Sequence, residues 1–300
     1  MKLIRTLALV LLSYQLFAQE DLMKELEKGQ KPETVYATST FKGTRLVNGQ
    51  TVETKGKGAL EFIFAHRFGA INSGLYNFYG LDNAHVRIGL EYGLTDRLGV
   101  SIGRNSQDKT VDGFLRYKVL RQSSGVVNIP VTVTAYGNAA CKTSPPKDDA
   151  TYPITATDRM SYTGQLLIAR KFSSKFSAQL MPTIVHKNTV DKTIETNDQF
   201  ALGIGTRTKI TRSMALTAEY YHRFNVMETN PYYDAVGLGI EIETGGHVFE
   251  LVITNSQGFT ERAFITESTG NIKEGGIHLG FNITRTFQLG KHPPGSKQEK

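Results

Sequence analysis

Apolar and polar residues alternate with a period of two along most of the chain. Between Gly58 and Phe68, for example, Leu60, Phe62 and Phe64 alternate with polar or small residues. This alternation is typical of β-strands with one apolar and one polar face. Twelve such runs follow one another with no helical pattern between them, at 58–68, 86–93, 97–105, 110–121, 127–137, 159–171, 175–186, 198–208, 213–223, 232–243, 247–256 and 276–287.

The lengths of the runs and of their connections indicate a membrane barrel. A tilted membrane strand needs about 9–11 residues, whereas soluble strands usually have about five or six. Connections after even-numbered runs are short and those after odd-numbered runs are longer, except around 106–109. Bacterial barrels have short periplasmic turns, longer outer loops and an even strand number. The sequence therefore predicts an all-β, transmembrane, antiparallel up-and-down β-barrel of about 12 strands over 58–287, with both termini periplasmic.

One face of each run is apolar enough to face lipid, as with Leu238 and Ile240, and the other face is polar or glycine-rich. A soluble β-sandwich or a lipocalin-like barrel also alternates in this way. Twelve long strands exceed the usual pattern of those folds, so they are disfavoured. The chain has no Trp, and an interfacial belt would have to use Tyr and Phe.

The regions outside the barrel have distinct compositions. Lys2 and Arg5 precede a short apolar stretch and the small residue Ala18, an order typical of a cleavable signal peptide over residues 1–18. Residues 19–57 then form an N-terminal periplasmic segment, and 288–300 form a polar tail.

The N-terminal segment contains a candidate plug. Asn48-Gly49 is a strong short-hairpin signal, and Lys42 and Arg45 make the surrounding residues basic. We expect a basic hairpin folded into or under the periplasmic mouth. The alternative is a further strand pair in the wall, which would give fourteen strands.

The polar faces of the strands predict a charged lumen. Acidic side chains concentrate toward the periplasmic end, where they would form an acidic collar, and bases are spread along the lumen. Like charges at close range need cations or neutralisation, so the hairpin is the expected source of cations. The predicted collar is Glu61, Glu91, Glu241, Glu243 and Glu250, and the predicted lumen bases are Arg67, Arg87, Arg116, Lys118, Arg207 and Arg223.

Several glycines also take lumen-facing positions, among them Gly203, Gly205, Gly237 and Gly239. Glycine within a strand indicates either a sharp bend or a close approach of another group to the wall. Bending is the favoured interpretation here.

Three segments carry a resemblance to a known family. They are G-A-L-E-F-I-F-A-H-R-F-G, R-I-G-L-E-Y-G-L-T-D-R-L-G-V-S-I-G-R and the late block Y-Y-D-A-V-G-L-G-I-E-I-E-T-G-G-H-V-F-E-L-V-I-T-N-S-Q-G-F-T-E-R-A-F-I. The chain resembles an uncharacterised, domain-of-unknown-function family of Bacteroidota outer-membrane β-barrels. The resemblance implies a fold and a membrane location and brings no catalytic residues. Many barrels end on an aromatic residue read by the barrel-assembly machinery; the candidate here is Phe287.

The sequence disfavours several functional classes. The net charge of +7 is scattered, with no basic block for nucleic acid. No metal-binding or cofactor motif is present, and the lone Cys141, placed in the longest loop, cannot form an internal disulfide. His66, His186 and His222 have outward parity, but no Ser or Asp lies beside them by spacing, which disfavours a barrel lipase or protease.

The sequence thus predicts a non-enzymatic barrel with no cofactor, in contact with outer-membrane lipid. Its function is expected to be that of a narrow channel or ligand-binding barrel for small polar or charged solutes. The alternative is a sealed structural or interaction barrel that contacts partners through the loops 138–158 and 257–275.

Overall fold

The computed structural model describes residues 33–144 and 154–289. The predicted signal peptide, residues 19–32 of the N-terminal segment and the tail from residue 290 lie outside the described residues. The strands are β1 (Thr34–Tyr36), β2 (Ala59–Ala70), β3 (Ala84–Gly93), β4 (Leu98–Asn105), β5 (Val111–Leu120), β6 (Ser123–Gly125), β7 (Thr132–Cys141), β8 (Met160–Lys171), β9 (Phe176–Lys187), β10 (Asp198–Lys209), β11 (Met214–Phe224), β12 (Ala235–Thr244), β13 (His247–Thr254) and β14 (His278–Gln288).

Twelve of these strands form one closed antiparallel barrel, and β1 and β6 form a separate two-stranded sheet. Each barrel strand pairs with the next barrel strand along the chain, and β14 closes the ring on β2. The predicted all-β, up-and-down barrel of twelve strands is confirmed. The alternative of fourteen wall strands is wrong, because residues 40–57 contribute no strand to the closed sheet.

Eleven barrel strands lie within a few residues of their predicted positions, and β7 is the exception. The sequence predicted a strand over 127–137, whereas β7 spans Thr132–Cys141. Residues 121–131 form a connection in which Ser123 and Ile129 exchange backbone hydrogen bonds, and Pro130 has no N–H to donate to a ladder. Cys141 therefore ends a strand, and its predicted place within the longest loop is wrong.

Connections alternate between the two ends of the barrel. The turn end carries the connections 94–97, 121–131, 172–175, 210–213 and 245–246, and it is also where β2 begins and β14 finishes. The loop end carries 71–83, 106–110, 142–159, 188–197, 225–234 and 255–277. Five residues or fewer separate the strands at most positions of the turn end, whereas most loop-end connections have ten or more.

Alternate residues of each strand point outward or into the lumen. Leu238, Ile240 and Leu251 are examples of exposed apolar side chains on the outer face, and Glu61 and Arg87 are buried on the inner face. Among the helices of residues 33–144 and 154–289, none has the length and apolar character to cross a membrane.

Two segments that are not wall strands fill the lumen. The first is the hairpin formed by residues 40–57, which enters from the turn end. The second is the loop 255–277, which enters from the loop end with helix α1 (Glu261–Thr266), all of whose residues are buried. Apolar side chains from both segments share a core with wall residues: Phe41, Leu46, Val52, Phe264 and Ile265 with Phe114, Tyr136, Leu167, Ala169, Met181, Ala201, Tyr221 and Ala235.

Candidate functional site

The hairpin closes with a four-residue loop. Arg45 and Gln50 form its terminal bridge, and the N–H of Leu46 donates to the carbonyl of Gly49 at 2.8 Å. Neither Asn48 nor Gly49 has a positive φ. The hairpin lies at the predicted residues. The two-residue turn that an Asn-Gly pair usually forms is not present, and the prediction of that turn is wrong.

Wall residues hold the hairpin tip through its backbone. The carboxylate of Glu219 on β11 accepts the N–H groups of Asn48 and Gly49 at 2.8 and 2.9 Å. Arg67 on β2 donates to the carbonyl of Val47 at 2.9 Å, and Asn282 on β14 donates to the same oxygen at 2.9 Å. Because buried backbone groups need partners, these contacts fix the tip. The side chain of Asn48 adds two more, since it accepts a hydrogen bond from Arg67 at 3.0 Å and donates one to Thr254 at 3.1 Å.

The hairpin stem is held by two further strands of the wall. The guanidinium of Arg116 on β5 donates to the carbonyls of Thr44, Thr51 and Glu53, at 3.2, 3.3 and 2.9 Å. Gln179 on β9 donates to the carbonyl of Gln50 at 2.7 Å, and its own side-chain oxygen accepts the N–H of Val52 at 2.8 Å. The wall thus binds the hairpin from several sides through polar groups.

The five acids predicted to form the collar lie in the turn half of the wall. Glu61 is directly opposite Glu91 on neighbouring strands, and Glu241 is directly opposite Glu250. Glu243 follows Glu241 by two residues, so it lies on the same face and closer to the turn end of β12. The five acids are thus two facing pairs and a fifth carboxylate nearer the opening.

The hairpin and the wall both supply cations to these acids. Lys42 pairs with Glu243 at 2.8 Å and Lys55 pairs with Glu61 at 2.5 Å. From the wall, Arg207 pairs with Glu241 at 2.6 Å and with Glu243 at 2.8 Å, and Arg116 pairs with Glu91 at 3.1 Å. Glu250 has no salt bridge among the described residues and accepts hydrogen bonds from Thr217 and Asn282.

The remaining predicted bases have other partners. Arg87 pairs with Asp112 at 2.5 Å, Lys118 pairs with Glu53 of the hairpin at 3.2 Å, and Arg223 lies 3.5 Å from Asp234. Arg45 is not a partner of the acidic residues at the turn end. Its Nη1 donates to the carbonyls of Asn48 and Phe259, at 3.2 and 3.4 Å, and burial and the nearby Arg87 lower the pKa of Arg45.

The two lumen segments contact each other. Glu261 of α1 accepts a hydrogen bond from Gln50 of the hairpin at 2.8 Å and from Tyr136 of the wall at 3.0 Å. Phe259 lies under the guanidinium of Arg67, 5.5 Å from ring centroid to Cζ. The lumen is consequently occupied continuously from the hairpin to α1.

Ion pairs hold the loop 255–277 at the loop end. Glu267 pairs with Arg262, with Lys187 at 3.1 Å and with Lys142 at 3.8 Å. Burial by itself would raise the pKa of Glu267, but these three cations outweigh it and lower the pKa to about 2. In the alternative function this loop would contact external partners, but its side chains Phe259, Phe264 and Ile265 are 2% exposed or less.

Two outward histidines lie beside carboxylates, which corrects the expectation from their spacing. His186 Nδ1 is 2.7 Å from Asp198, and His222 Nδ1 is 3.0 Å from Asp234. No serine hydroxyl is hydrogen-bonded to either imidazole in the described part of the chain. Within residues 33–144 and 154–289, no group of three potential metal ligands could hold a metal ion.

The sequence did not predict three acids that hold the lumen segments. Glu219 binds the backbone of the hairpin tip, and Glu261 and Glu267 hold the loop 255–277. The inward glycines were the available signal for the hairpin. A Cβ at Gly237 would lie 2.8 Å from Val47, and one at Gly205 would clash with Leu46. Close approach by the hairpin, and not bending alone, therefore accounts for these glycines.

Comparison with solved structures finds porins and other outer-membrane proteins, all with very low sequence identity to this chain. The KdgM porin has a TM-score of 0.46 and 7% identity over 76% of this chain and 99% of that one. The COG4313 outer membrane channel from Pseudomonas putida F1 has 0.44 and 11% over 79% and 98%. Outer membrane phospholipase A from Escherichia coli has 0.39 and 11% over 76% and 91%.

Sequence comparison identifies a family but no curated relative. No curated protein matches the chain. The family model described as "Membrane bound beta barrel domain (DUF5777)" matches residues 41–287. This match starts within the hairpin and runs through the last barrel strand, so the lumen hairpin and the twelve-stranded wall fall within one domain. The chain belongs to this family of membrane-bound β-barrels.

Proposed function

We propose that this protein is a gated outer-membrane channel for small polar or charged solutes, in which the hairpin 40–57 is a removable plug. The proposal includes export by the N-terminal leader, insertion by the barrel-assembly machinery, a Bacteroidota source, periplasmic termini and no catalytic activity. The observation that carries it is the manner in which the hairpin is held. It lies outside the closed sheet, and polar side chains of the wall hold its backbone while Phe41, Leu46 and Val52 pack in the shared core.

A plug of this kind can leave without opening the wall. The hairpin contributes no strand to the barrel sheet, so its departure breaks no hydrogen bond between neighbouring wall strands. Water can replace the polar partners that the hairpin gives to Glu219, Arg67 and Arg116. The main free-energy cost of withdrawal is therefore the exposure of the apolar side chains Phe41, Leu46 and Val52. The vacated lumen would be lined by the facing acids and the wall arginines, which suits small polar solutes.

Conductance in planar bilayers tests the proposal. The full chain is expected to show low conductance with brief openings. Deletion of 40–56 removes Lys42, Arg45, Lys55 and one acid, Glu53, so the variant is expected to fold, to conduct steadily and to prefer cations. The matched control replaces 33–37, which precede the hairpin, with a Gly/Ser segment and should behave as the wild type.

A sealed structural barrel is the second candidate, and the apolar packing of α1 supports it. Phe264 and Ile265 are fully buried, which would hold the loop 255–277 in the lumen even without the hairpin. A deletion variant that is folded and heat-modifiable but conducts no more than the full chain would favour this candidate over a channel.

A further inference from the structure

The loop 71–83, which joins β2 to β3 at the loop end, carries a strongly apolar surface over residues 71–81. No charged residue occurs between Arg67 and Asp82. Four large side chains of the loop are more than half exposed: Leu75 at 72%, Tyr76 at 96%, Phe78 at 57% and Tyr79 at 52%. Contiguous exposed apolar groups of this kind mark an interaction surface and not an ordinary solvated loop.

The loop has a fixed shape. The N–H of Tyr79 donates to the carbonyl of Gly74 at 2.9 Å, and that of Leu81 donates to the carbonyl of Phe78 at 3.1 Å. Phe78 and Tyr79 have φ of 44° and 54°, a left-handed conformation that bulky residues rarely adopt. Such backbone geometry persists only where the surroundings impose it, and it occurs often at ligand-contacting sites.

Close backbone packing keeps the loop beside the end of β2. The N–H of Gly69 donates to the carbonyl of Asn83 at 2.8 Å. A Cβ on Gly80 would lie 2.5 Å from the carbonyl carbon of Gly69 and 2.7 Å from the carbonyl oxygen of Ala70. The side chain of Asn72 adds a hydrogen bond to the carbonyl of Glu274 at 2.9 Å. Both ends of the loop are therefore held against the end of β2 and the loop 255–277.

The loop follows directly on an aromatic, outward-facing part of β2. On the outer face near the end of β2, His66 stacks on Phe281 with ring centroids 5.0 Å apart, and Phe68 packs edge-on against His66 at 4.4 Å. Bilayer interfaces around membrane barrels are lined by aromatic residues at this height. Tyr and Phe must fill that role here, because the chain has no Trp.

We propose that the loop 71–83 is a lipid-binding foot, whose side chains Leu75, Tyr76, Phe78 and Tyr79 insert into the interface of the bilayer leaflet at the loop end. The occupant is the lipid surface itself. Phenol groups at positions 76 and 79 can reach the headgroups while Leu75 and Phe78 reach the upper acyl region. The foot stands independently of the channel proposal, since it involves only the outer surface of the barrel.

Tryptophan fluorescence tests the foot with little background, because the wild type has no Trp. Three single-Trp variants of the full chain would be reconstituted into phosphatidylcholine vesicles with lipids brominated high or low on the acyl chain. They are Phe78→Trp in the foot, Leu238→Trp on the lipid-facing wall and Val226→Trp in another loop at the same end. We expect Phe78→Trp to be quenched as strongly as Leu238→Trp, but by the shallow bromines, and Val226→Trp to be quenched little.

Three results would overturn the proposal. Water-like emission of Phe78→Trp, with quenching no greater than that of Val226→Trp, would place the loop in solvent. Emission that shifts to the blue only when vesicles are crowded with protein would identify a second copy as the occupant. The third result uses Phe78→Trp with Leu75, Tyr76 and Tyr79 all replaced by Ser. Unchanged quenching in that variant would show that the Trp alone, and not the foot, binds the bilayer.

Discussion

At the residue scale, the contacts of the lumen follow from the need to pair buried groups. Glu219, Arg67 and Arg116 are each 3% exposed or less, and each is hydrogen-bonded to hairpin backbone. An ionised side chain without such partners would be costly to bury. The wall and the hairpin therefore stabilise each other, because each supplies the partners that the other requires.

Glu219→Ala should loosen the hairpin tip. The substitution leaves the N–H groups of Asn48 and Gly49 buried without an acceptor, which should weaken tip docking by about 2 kcal/mol. That change corresponds to amide exchange at Asn48 and Gly49 about 30-fold faster than in the wild type. Glu195→Ala is the matched control, since Glu195 contacts Lys187 and Gln199 and not the hairpin. Equal protection of the tip in both variants would contradict this role for Glu219.

Glu267 should make docking of the loop 255–277 dependent on pH. Its pKa falls from the usual 4.5 to about 2 in the folded protein, so its carboxylate stabilises the fold above pH 4.5 and loses that contribution as the pH falls toward 2. The shift corresponds to about 3 kcal/mol at most. The melting temperature of Glu267→Gln should lie below that of the wild type at pH 7, and the two should converge near pH 2.

The control for this titration is Glu274→Gln in the same loop, whose side chain has no salt bridge among the described residues. It should follow the wild type at every pH. A constant difference between Glu267→Gln and the wild type from pH 7 to pH 2 would mean that the carboxylate acts through packing and not through its charge.

At the element scale, periodicity predicted the wall well. The alternation of apolar and polar residues within a strand identifies its two faces without any knowledge of the other strands. It placed β7 too early, since Val127, Ile129 and Val131 continue the alternation. Pro130 and the bridge between Ser123 and Ile129 instead keep these residues out of the ladder. The insertion of α1 could not be predicted from periodicity. Six residues are too few for a helical pattern, and their burial depends on space that remains only after the barrel has closed.

Phe264→Ala tests whether α1 is held by its apolar side chains. Phe264 is fully buried and packs edge-on against Tyr221, with ring centroids 5.3 Å apart. The cavity should weaken docking of the loop 255–277 by about 3–5 kcal/mol, which limited proteolysis would detect as faster cleavage within the loop. Leu238→Ala, on the outer face, should leave cleavage unchanged. Comparable cleavage of both variants would show that the ion pairs of Glu267 suffice to hold the loop.

At the scale of the whole molecule, the two lumen segments share one interface. Gln50 of the hairpin contacts Glu261 of α1, and Arg45 contacts the carbonyl of Phe259. Withdrawal of the hairpin would remove one hydrogen-bond donor from Glu261 and leave Tyr136 as its partner. Because contacting groups couple energetically, loosening the hairpin at the turn end should also loosen the loop 255–277 at the other end. A solute path through the barrel would then involve both segments.

The alternation of short and long connections predicts the orientation of the whole barrel, with the turn end in the periplasm and the loop end outside. Cys141 is a poor reporter, because it ends β7 and its Sγ contacts the carbonyls of Lys142 and Ala156. We therefore expect clearer results from single cysteines placed in a Cys141→Ser background. Glu228→Cys, in the exposed loop 225–234, should react with an impermeant maleimide on intact cells. Ser174→Cys, in the turn 172–175, should react only after the outer membrane is disrupted, and the opposite pattern would invert the topology.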